Sequence, residues 1–408
     1  MSVTAAPAAS CALHDAGTCR SCPHLSLPMP DQLAAKQSRV AALLAEHVPA
    51  ELWQAPAASA PTGFRNKAKM AVAGTAAHPT LGILDGAGCG VDLRTCPLHV
   101  PAIEAALPVL ADLITELGLR PYDVPARRGE LKYLLVTASP DDDLMVRFVL
   151  RSRRYLERLR AAMPDLRRRL PQLAVAAVNI QSVHQAVIEG PEEIVLTEED
   201  RLLMRLSLPS PGRNGRVGRP ADGVELPLYL PTRSFFQTNT AVAEALYATA
   251  RDWAEQAEPA RVWDLFCGVG GFALALAAPG RQVLGVEVSA QAIDGARAAA
   301  DLMGLDPALV RFEAGDARVL DPAAGERAGG VQRPDLLVVN PPRRGIGEQL
   351  ATRIEASGVE RVLYSSCNPR TLATDLAHLP SMRVVRSRLF DMFPHTEHAE
   401  VLVELVRG

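Results

Sequence analysis

The stretch Asp264-Leu265-Phe266-Cys267-Gly268-Val269-Gly270-Gly271 decides the fold of the C-terminal half of this chain. The apolar run that leads into it from Arg261 predicts a buried strand, and the glycines allow a sharp turn before a helix. A second apolar run ends in Glu287, 23 positions after Asp264. This arrangement suits a nucleotide-type ligand, whose ribose hydroxyls would donate hydrogen bonds to Glu287. By itself the pattern does not name the ligand.

Strands alternate with helices throughout residues 234–408. The predicted strands end near Phe266, Glu287, Glu313, Asn340 and Ser366. Two further strands, at 383–389 and 400–406, have no long helix between them, so the last strand should be antiparallel. The alternation predicts an α/β fold with a Rossmann-like, seven-stranded, mostly parallel sheet covered on both faces. This is the layout of class I S-adenosylmethionine-dependent methyltransferases, which bind ligands at the carboxyl ends of the strands.

Length and composition limit what the rest of the chain can be. With 408 residues it should form two or three domains with ample core, and no apolar run approaches the length of a membrane span. No signal peptide is recognisable, so we expect a cytoplasmic protein. The net charge of −3 argues against indiscriminate nucleic-acid binding but allows local basic patches for a specific nucleic acid. The odd number of cysteines, seven, favours metal binding or catalysis over disulfide bonds.

Two polar motifs follow neighbouring predicted strands. Asn340-Pro341-Pro342-Arg343 has prolines that stiffen the strand exit, so that the Asn340 side chain can face the ligand. Such signatures occur in methyltransferases acting on planar nitrogenous bases, including adenine N6; the alternative is an ordinary loop. After the next strand, Cys367 is followed by Asn-Pro-Arg370, and we expect Arg370 and a helix N-terminus to favour its thiolate.

The alternative for Cys367 is a small buried hydrophobic residue, which is the usual fate of a free cysteine. Cys267 competes with it for the role of nucleophile, but a covalent adduct in the nucleotide turn would crowd the cofactor, so we interpret Cys267 as structural. The turn before the last strand offers four acid–base candidates, His395, Glu397, His398 and Glu400. A solvated charged turn is the alternative for each, and we prefer it for Glu397.

The N-terminal cysteines suggest a metal site. Cys11, Cys19 and Cys22 lie close together in sequence, Cys96 can complete a four-thiolate set, and Cys89 is a spare candidate. The spacing fits either zinc or an iron–sulfur cluster, and unrelated buried thiols are the alternative.

Three basic segments are candidates for RNA contact. Arg65, Lys67 and Lys69 alternate along one predicted strand face near the cysteines, and we favour them for RNA binding. The arginine-rich helix predicted at 155–170 is at least as well explained as a solvated face. A further basic loop spans residues 212–220. Strands are also predicted at 174–181 and 183–189.

Taken together, the chain resembles the bacterial RNA uracil-C5 methyltransferase family. The matching motifs are Ser234-Phe-Phe-Gln237-Thr-Asn-Thr, Asp264-Leu-Phe-Cys-Gly, Asn340-Pro-Pro-Arg, Ser366-Cys367-Asn-Pro-Arg and Phe393-Pro-His-Thr-x-His398-x-Glu400. The motif that begins at Cys11, Cys-Ala-Leu-x-Asp-Ala-Gly-x-Cys-Arg-Ser-Cys, is similar to that of the family branch that methylates uracil 747 of 23S ribosomal RNA.

The resemblance implies roles for ten residues. Cys367 matches the nucleophile, which adds to uracil C6, and Glu400 matches the base that removes the C5 proton. The positions that contact S-adenosylmethionine are Gln237, Phe266, Glu287 and Asn340. The positions that bind a [4Fe–4S] cluster are Cys11, Cys19, Cys22 and Cys96. Phe266 stands where many relatives have tyrosine, so a hydroxyl contact is missing there.

From these observations we expect three regions. Residues 1–100 form an iron–sulfur and RNA-contacting region, 101–233 a central α+β RNA-binding domain, and 234–408 the methyltransferase domain. The expected partner is 23S ribosomal RNA, and the expected state is a monomer without membrane attachment. The target uridine stays open among ribosomal and transfer RNA positions. Base-N6 methylation and a non-catalytic zinc-containing RNA-binding protein are the competing hypotheses.

Overall fold

A computed structural model describes residues 9–184, 187–209, 224–319 and 333–408 of the chain. The basic loop predicted at 212–220 lies outside these ranges. None of the helices in the described ranges combines the length and the apolar character needed to cross a membrane.

The described residues form nine α-helices, sixteen strands and two short 3₁₀ turns. The helices are α1 Ala12–Asp15, α2 Met29–Leu43, α3 Pro101–Glu116, α4 Leu156–Arg169, α5 Thr240–Ala257, α6 Gly271–Ala275, α7 Ala290–Leu302, α8 Gly347–Ser357 and α9 Pro369–Ala377. The first nine strands are β1 Lys67–Gly74, β2 Pro79–Leu84, β3 Gly90–Asp92, β4 Leu131–Ala138, β5 Leu144–Leu150, β6 Leu173–Ile180, β7 Glu192–Val195, β8 Arg201–Leu208 and β9 Val224–Pro231. The others are β10 Arg261–Leu265, β11 Gln282–Glu287, β12 Val310–Ala314, β13 Leu336–Val339, β14 Arg361–Ser366, β15 Met382–Phe390 and β16 Glu400–Arg407.

The C-terminal sheet has the predicted α/β architecture. Its strand order is β12-β11-β10-β13-β14-β16-β15. Strands β10 to β14 pair in parallel, whereas β16 pairs antiparallel with both β14 and β15. The prediction of a seven-stranded, mostly parallel sheet with an antiparallel last strand is therefore confirmed.

Both faces of this sheet are buried, because successive residues of each strand point to opposite sides. In β10, Val262 packs with helices α5, α6 and α7, while Trp263 packs on the other face with α8, α9 and the N-terminal helix α2. The hairpin of β8 and β9 joins the first of these cores. The methyltransferase core thus recruits residues from well before residue 234.

The second seven-stranded sheet has the order β3-β2-β1-β4-β5-β6-β7. It is antiparallel except for the pair of β5 and β6, and helices α3 and α4 pack on it. Strands β1 to β3 precede residue 100 and the other four follow it, so one sheet extends on both sides of the suggested boundary.

The prediction of a strand at 183–189 is wrong for the described residues 183–184 and 187–189, whereas residues 185–186 lie outside the described ranges. The strand that pairs with β6 is β7, which begins at Glu192. The buried side chain of Gln181 explains the difference, because its amide accepts from the Val183 N–H and donates to the carbonyls of Val187 and Glu189. These bonds satisfy backbone groups that a strand would need for its ladder.

Candidate active site

The turn after β10 is built for close approach of a ligand. Phe266, Gly268 and Gly270 all have positive φ, of 64°, 54° and 86°. A side chain at Gly270 would lie 3.1 Å from both Ala296 and Phe312, so glycine is needed there for space as well as for conformation. The fully buried Asp264 closes the turn, since its carboxylate accepts a hydrogen bond from the Ala273 N–H at 2.9 Å. Burial raises the pKa of Asp264 to about 8.

Glu287 lies at the end of β11 and faces this turn. Its two carboxylate oxygens accept hydrogen bonds from the backbone N–H groups of Gly268 at 3.3 Å and Ser289 at 3.1 Å. These two bonds fix the carboxylate at the carboxyl end of the parallel strands, where α/β sheets bind nucleotides.

A cavity of about 660 Å³ opens at this end of the sheet. Its walls contain all six residues predicted to bind the cofactor or to react, namely Gln237, Phe266, Glu287, Asn340, Cys367 and Glu400. Its size is that of a typical small-molecule site. The structure therefore brings together residues that are spread over more than 160 positions of sequence.

The pairing of β14 with β16 sets the position of Cys367. Ser365 lies opposite Leu402 and Ser366 opposite Val401, so Cys367 follows directly after the last paired residue of β14, next to the start of β16 at Glu400. Burial and the Glu400 carboxylate raise the pKa of the Cys367 thiol, while the charge of Arg343 and its hydrogen bond to Cys367 lower it. The pKa of the thiol stays above its ordinary value, and Arg343 is the cation that opposes this rise. The expectation for Arg370 is wrong, because that side chain is exposed and does not contribute to the shift.

Glu400 is a buried carboxyl group with one hydrogen-bond donor. Only 2% of the residue is exposed, and Ser365 Oγ donates a hydrogen bond to its Oε1 at 2.5 Å. Burial raises the pKa of Glu400 to about 7, and the Ser365 hydrogen bond opposes that rise. A carboxyl group that titrates near neutral pH is suited to proton abstraction. Glu400 therefore combines position and pKa for the role of a base.

Ser365 and Arg343 were missed from the sequence. Ser365 reaches Glu400 along a cross-strand diagonal, which depends on a pairing register that the sequence does not display. Arg343 belongs to the Asn-Pro-Pro-Arg motif, which does not by itself predict a role for the arginine. Its backbone carbonyl accepts hydrogen bonds from Asn368 Nδ2 at 3.0 Å and Thr371 Oγ1 at 3.2 Å, which tie the loop after β13 to the start of α9.

The other acid–base candidates have structural partners. His395 is fully buried, with its ring nitrogens 3.2 Å from Gln32 Nε2 and 2.7 Å from the Pro61 carbonyl. Glu397 is exposed and pairs with His24, as preferred from the sequence. His398 is exposed. Its pKa is lowered, first by partial burial and then by the positive charges of nearby arginine and lysine side chains.

Cys267 is a buried residue of the glycine-rich turn that follows β10. Burial raises the pKa of its thiol well above the ordinary value, and Asp264 and Glu287 add to that effect. A thiol in such surroundings is a poor nucleophile. These features favour the structural interpretation of Cys267.

A second cavity, of about 220 Å³, is lined by Cys11, Cys19, Cys22 and Cys96. Burial raises the pKa of the Cys22 thiol to about 11, and the other three cysteines contribute, which shows how near they are. Cys89 is exposed and does not line this cavity. In the described ranges, no three histidine, cysteine or acidic side chains are placed to hold a metal ion.

The basic segments differ in how their charges are compensated. On α4, Arg160, Arg168 and Arg169 all pair with acidic neighbours, which fits a solvated helix face. Arg65, Lys67 and Lys69 instead line the cavity of the four cysteines. Their alternation with buried residues places them on one outward face of β1 and the segment before it.

Comparison with known proteins identifies the family. The chain is 49% identical over 401 residues to the 23S rRNA (uracil(747)-C(5))-methyltransferase RlmC of Halothiobacillus neapolitanus, covering 97% of this chain and 99% of the relative. It is 46% identical over 398 residues to the enzyme of the same name from Escherichia coli, again covering 97% and 99%. The chain belongs to the RNA uracil-C5 methyltransferase family. A family profile described as tRNA (Uracil-5-)-methyltransferase also matches residues 225–408.

The fold of this chain is similar to that of a solved structure. The tRNA (uracil-54, C5)-methyltransferase of Pyrococcus abyssi, in complex with S-adenosyl-L-homocysteine, superposes with a TM-score of 0.73 at 24% identity. The match covers 94% of this chain and 85% of that chain. The chain thus shares its overall fold with this solved structure.

Proposed function

We propose that this protein transfers the methyl group of S-adenosylmethionine to C5 of a uracil in 23S ribosomal RNA, at the position that its relatives name as 747. Family membership gives the class of reaction, and the two relatives named above give the RNA and the position. The observation that carries the chemistry is the meeting of Cys367 and Glu400 in the cavity that Glu287 and the glycine turn also line.

The cavity fits the methyl donor. The carboxylate of Glu287 can accept from the ribose hydroxyls, and the Gly268–Gly271 turn leaves backbone space beside it. Gln237 and Asn340 supply amide groups to the same wall. When bound, S-adenosylmethionine supplies an electrophilic methyl group on a sulfonium. The residues of the chain must make uracil C5 nucleophilic enough to take it.

Cys367 performs that activation. The thiolate, stabilised by Arg343, bonds through Sγ to C6 of the uracil, and the electron pair of the C5–C6 double bond moves to C5. The enolate-like C5 then takes the methyl group. The Glu400 carboxylate removes the C5 proton; the electron pair restores the double bond and expels the Cys367 thiolate. Glu400 releases the proton to solvent, which a carboxyl group of pKa about 7 does readily.

We infer that Cys11, Cys19, Cys22 and Cys96 hold a [4Fe–4S] cluster. Four cysteines line this one cavity, and four thiolates are the usual ligand set of such a cluster. Methyl transfer needs no electron, so we assign the cluster a structural role. It would cross-link the chain and fix the position of the basic residues in the same cavity lining, Arg65, Lys67 and Lys69, which we expect to contact RNA. Loss of the cluster that left RNA affinity and turnover unchanged would contradict this role.

The expected state is a monomer that acts in the cytoplasm, where ribosomal RNA is available. The experiment is nucleoside mass analysis of 23S ribosomal RNA from cells lacking the protein, before and after restoring the wild type or Cys367→Ala. Only the wild type should restore 5-methyluridine. Restoration of N6-methyladenosine instead, or equal restoration by Cys367→Ala, would overturn the proposal.

A further inference from the structure

A second groove meets the active-site cavity at Cys367. It has a volume of about 240 Å³ and shares only Cys367 and Arg343 with the larger cavity. Its other walls come from helix α2, from the start of α9 and from the turn before β16. The charged or titratable side chains that line it are Arg39, Arg343, Arg370, Glu397 and His398. Cys367 is thus reached from two sides, one with the cofactor residues and one without them.

This groove is positively charged. Arg343 and Arg370 are exposed, and neither forms an ion pair with a carboxylate in the described parts of the chain. The single acidic residue, Glu397, is compensated by Arg39 at 2.7 Å and by His24 at 2.6 Å. Three arginines of α4, in contrast, form ion pairs with acidic neighbours, namely Arg160, Arg168 and Arg169. Unpaired arginines concentrated beside a nucleophile indicate an anionic ligand.

The chemistry of the proposed substrate indicates which anion the groove binds. A uracil that enters the cavity stays attached to its ribose and to two phosphates, so the RNA backbone must pass over the surface next to Cys367. The predicted cofactor residues Glu287 and Phe266 line the larger cavity and are absent from this groove. Guanidinium groups bind phosphate through paired hydrogen bonds. The groove offers such groups on the one side that the cofactor leaves open.

We propose that this groove binds the backbone phosphates that flank the target uridine, with the unpaired Arg370 as the first contact and Arg39, whose charge is partly offset by Glu397, as the second. The proposal rests on the proposed function, because it takes RNA as the substrate. Arg370 is the more exposed contact, at the first turn of α9, while Glu397 holds Arg39 at the groove.

The test measures RNA binding and methyl transfer for Arg370→Gln and Arg39→Gln, with unmodified 23S ribosomal RNA as the probe. Arg383→Gln is the matched control: Arg383 is an exposed arginine of the same sheet, in β15, and it lies near the opposite, amino ends of the parallel strands. Binding is measured at several salt concentrations without S-adenosylmethionine. Initial rates then give kcat and KM for RNA.

We expect each groove variant to raise KM for RNA about fivefold, with a smaller effect on kcat. Each should also reduce the slope of log affinity against log salt concentration by about 0.7 to 1, which is the signature of one lost phosphate contact. Arg383→Gln should match the wild type. Groove variants that keep the wild-type KM and salt slope overturn the proposal, as does an equal loss in Arg383→Gln. A wild-type protein that binds RNA but transfers no methyl group would contradict the proposed function, and the binding data would still decide about the groove.

Discussion

Replacing Ser365 by alanine tests how Glu400 is prepared to remove a proton. In the wild type, Ser365 Oγ donates to Glu400 Oε1 at 2.5 Å, and this bond stabilises the carboxylate against the burial that raises its pKa to about 7. A hydrogen bond to a charged group contributes about 1.5–3 kcal/mol. Since one pKa unit corresponds to about 1.4 kcal/mol, losing the bond should move the titration of Glu400 upward by about one to two units.

The direction of the pH effect follows from the role of a base. Glu400 acts when it is ionised, so the rate of the wild type should fall as the pH drops through about 7. In Ser365→Ala the same acid limb should lie about one to two pH units higher. At pH 7 about half of Glu400 is ionised in the wild type, so the rate at neutral pH should be about five- to fiftyfold lower in the variant, and it should recover in alkaline buffer.

The assay is the initial rate of methyl transfer to unmodified RNA over a range of pH. Ser387→Ala is the matched control, because Ser387 is a fully buried serine on the adjacent strand β15 and donates to the Leu52 carbonyl rather than to Glu400. Its profile should overlay that of the wild type. An unmoved acid limb in Ser365→Ala, or the same displacement in Ser387→Ala, would refute the reasoning.

Three further predictions concern the cofactor, the cysteine site and the fold. Glu287→Ala should weaken S-adenosylmethionine binding at least about tenfold in equilibrium dialysis, because two ribose hydrogen bonds are lost; an unchanged Kd would exclude the ribose role. Cys22→Ser should lower the iron and sulfide content of anaerobically purified protein, and full iron retention would remove Cys22 from the ligand set. Lys36→Met breaks a buried ion pair with Asp391, 2.6 Å long, and should lower the free energy of unfolding in urea by about 3–5 kcal/mol. A loss below about 1 kcal/mol, as for a surface pair, would show that this pair is not desolvated.

The sequence predicted the C-terminal sheet well because its signals are local. Each strand is a short apolar run buried on both faces, and each is followed by a turn or by a polar residue at its carboxyl end. All such ends meet at one edge of a parallel sheet. That is why Glu287, Asn340 and Cys367, which follow three different strands, could be assigned to one site before any coordinates were known.

The site contacts that the sequence does not predict depend on segments that are distant in sequence. The bond between Ser365 and Glu400 follows from the register of β14 and β16, and the proximity of Arg343 to Cys367 follows from the packing of two loops. Arg370 is nearer to Cys367 in sequence, but helix α9 directs it to the surface. Helix α2 gives a further example of a contact that the sequence does not predict. Its Lys36 donates a hydrogen bond to Asp391, 355 positions away, and no local sequence pattern indicates that contact.

The covalent bond between Cys367 and the substrate is the central claim, and Glu400→Gln tests it most directly. Without the base, addition to C6 and methylation of C5 can occur, but the adduct cannot resolve. After incubation with RNA and S-adenosylmethionine and digestion with nuclease and protease, mass spectrometry should find 5-methyluridine joined to the peptide that contains Cys367. The double variant with Cys367→Ala should yield none. A Glu400→Gln protein that turns over at the wild-type rate, or an adduct on Cys267, would contradict the mechanism.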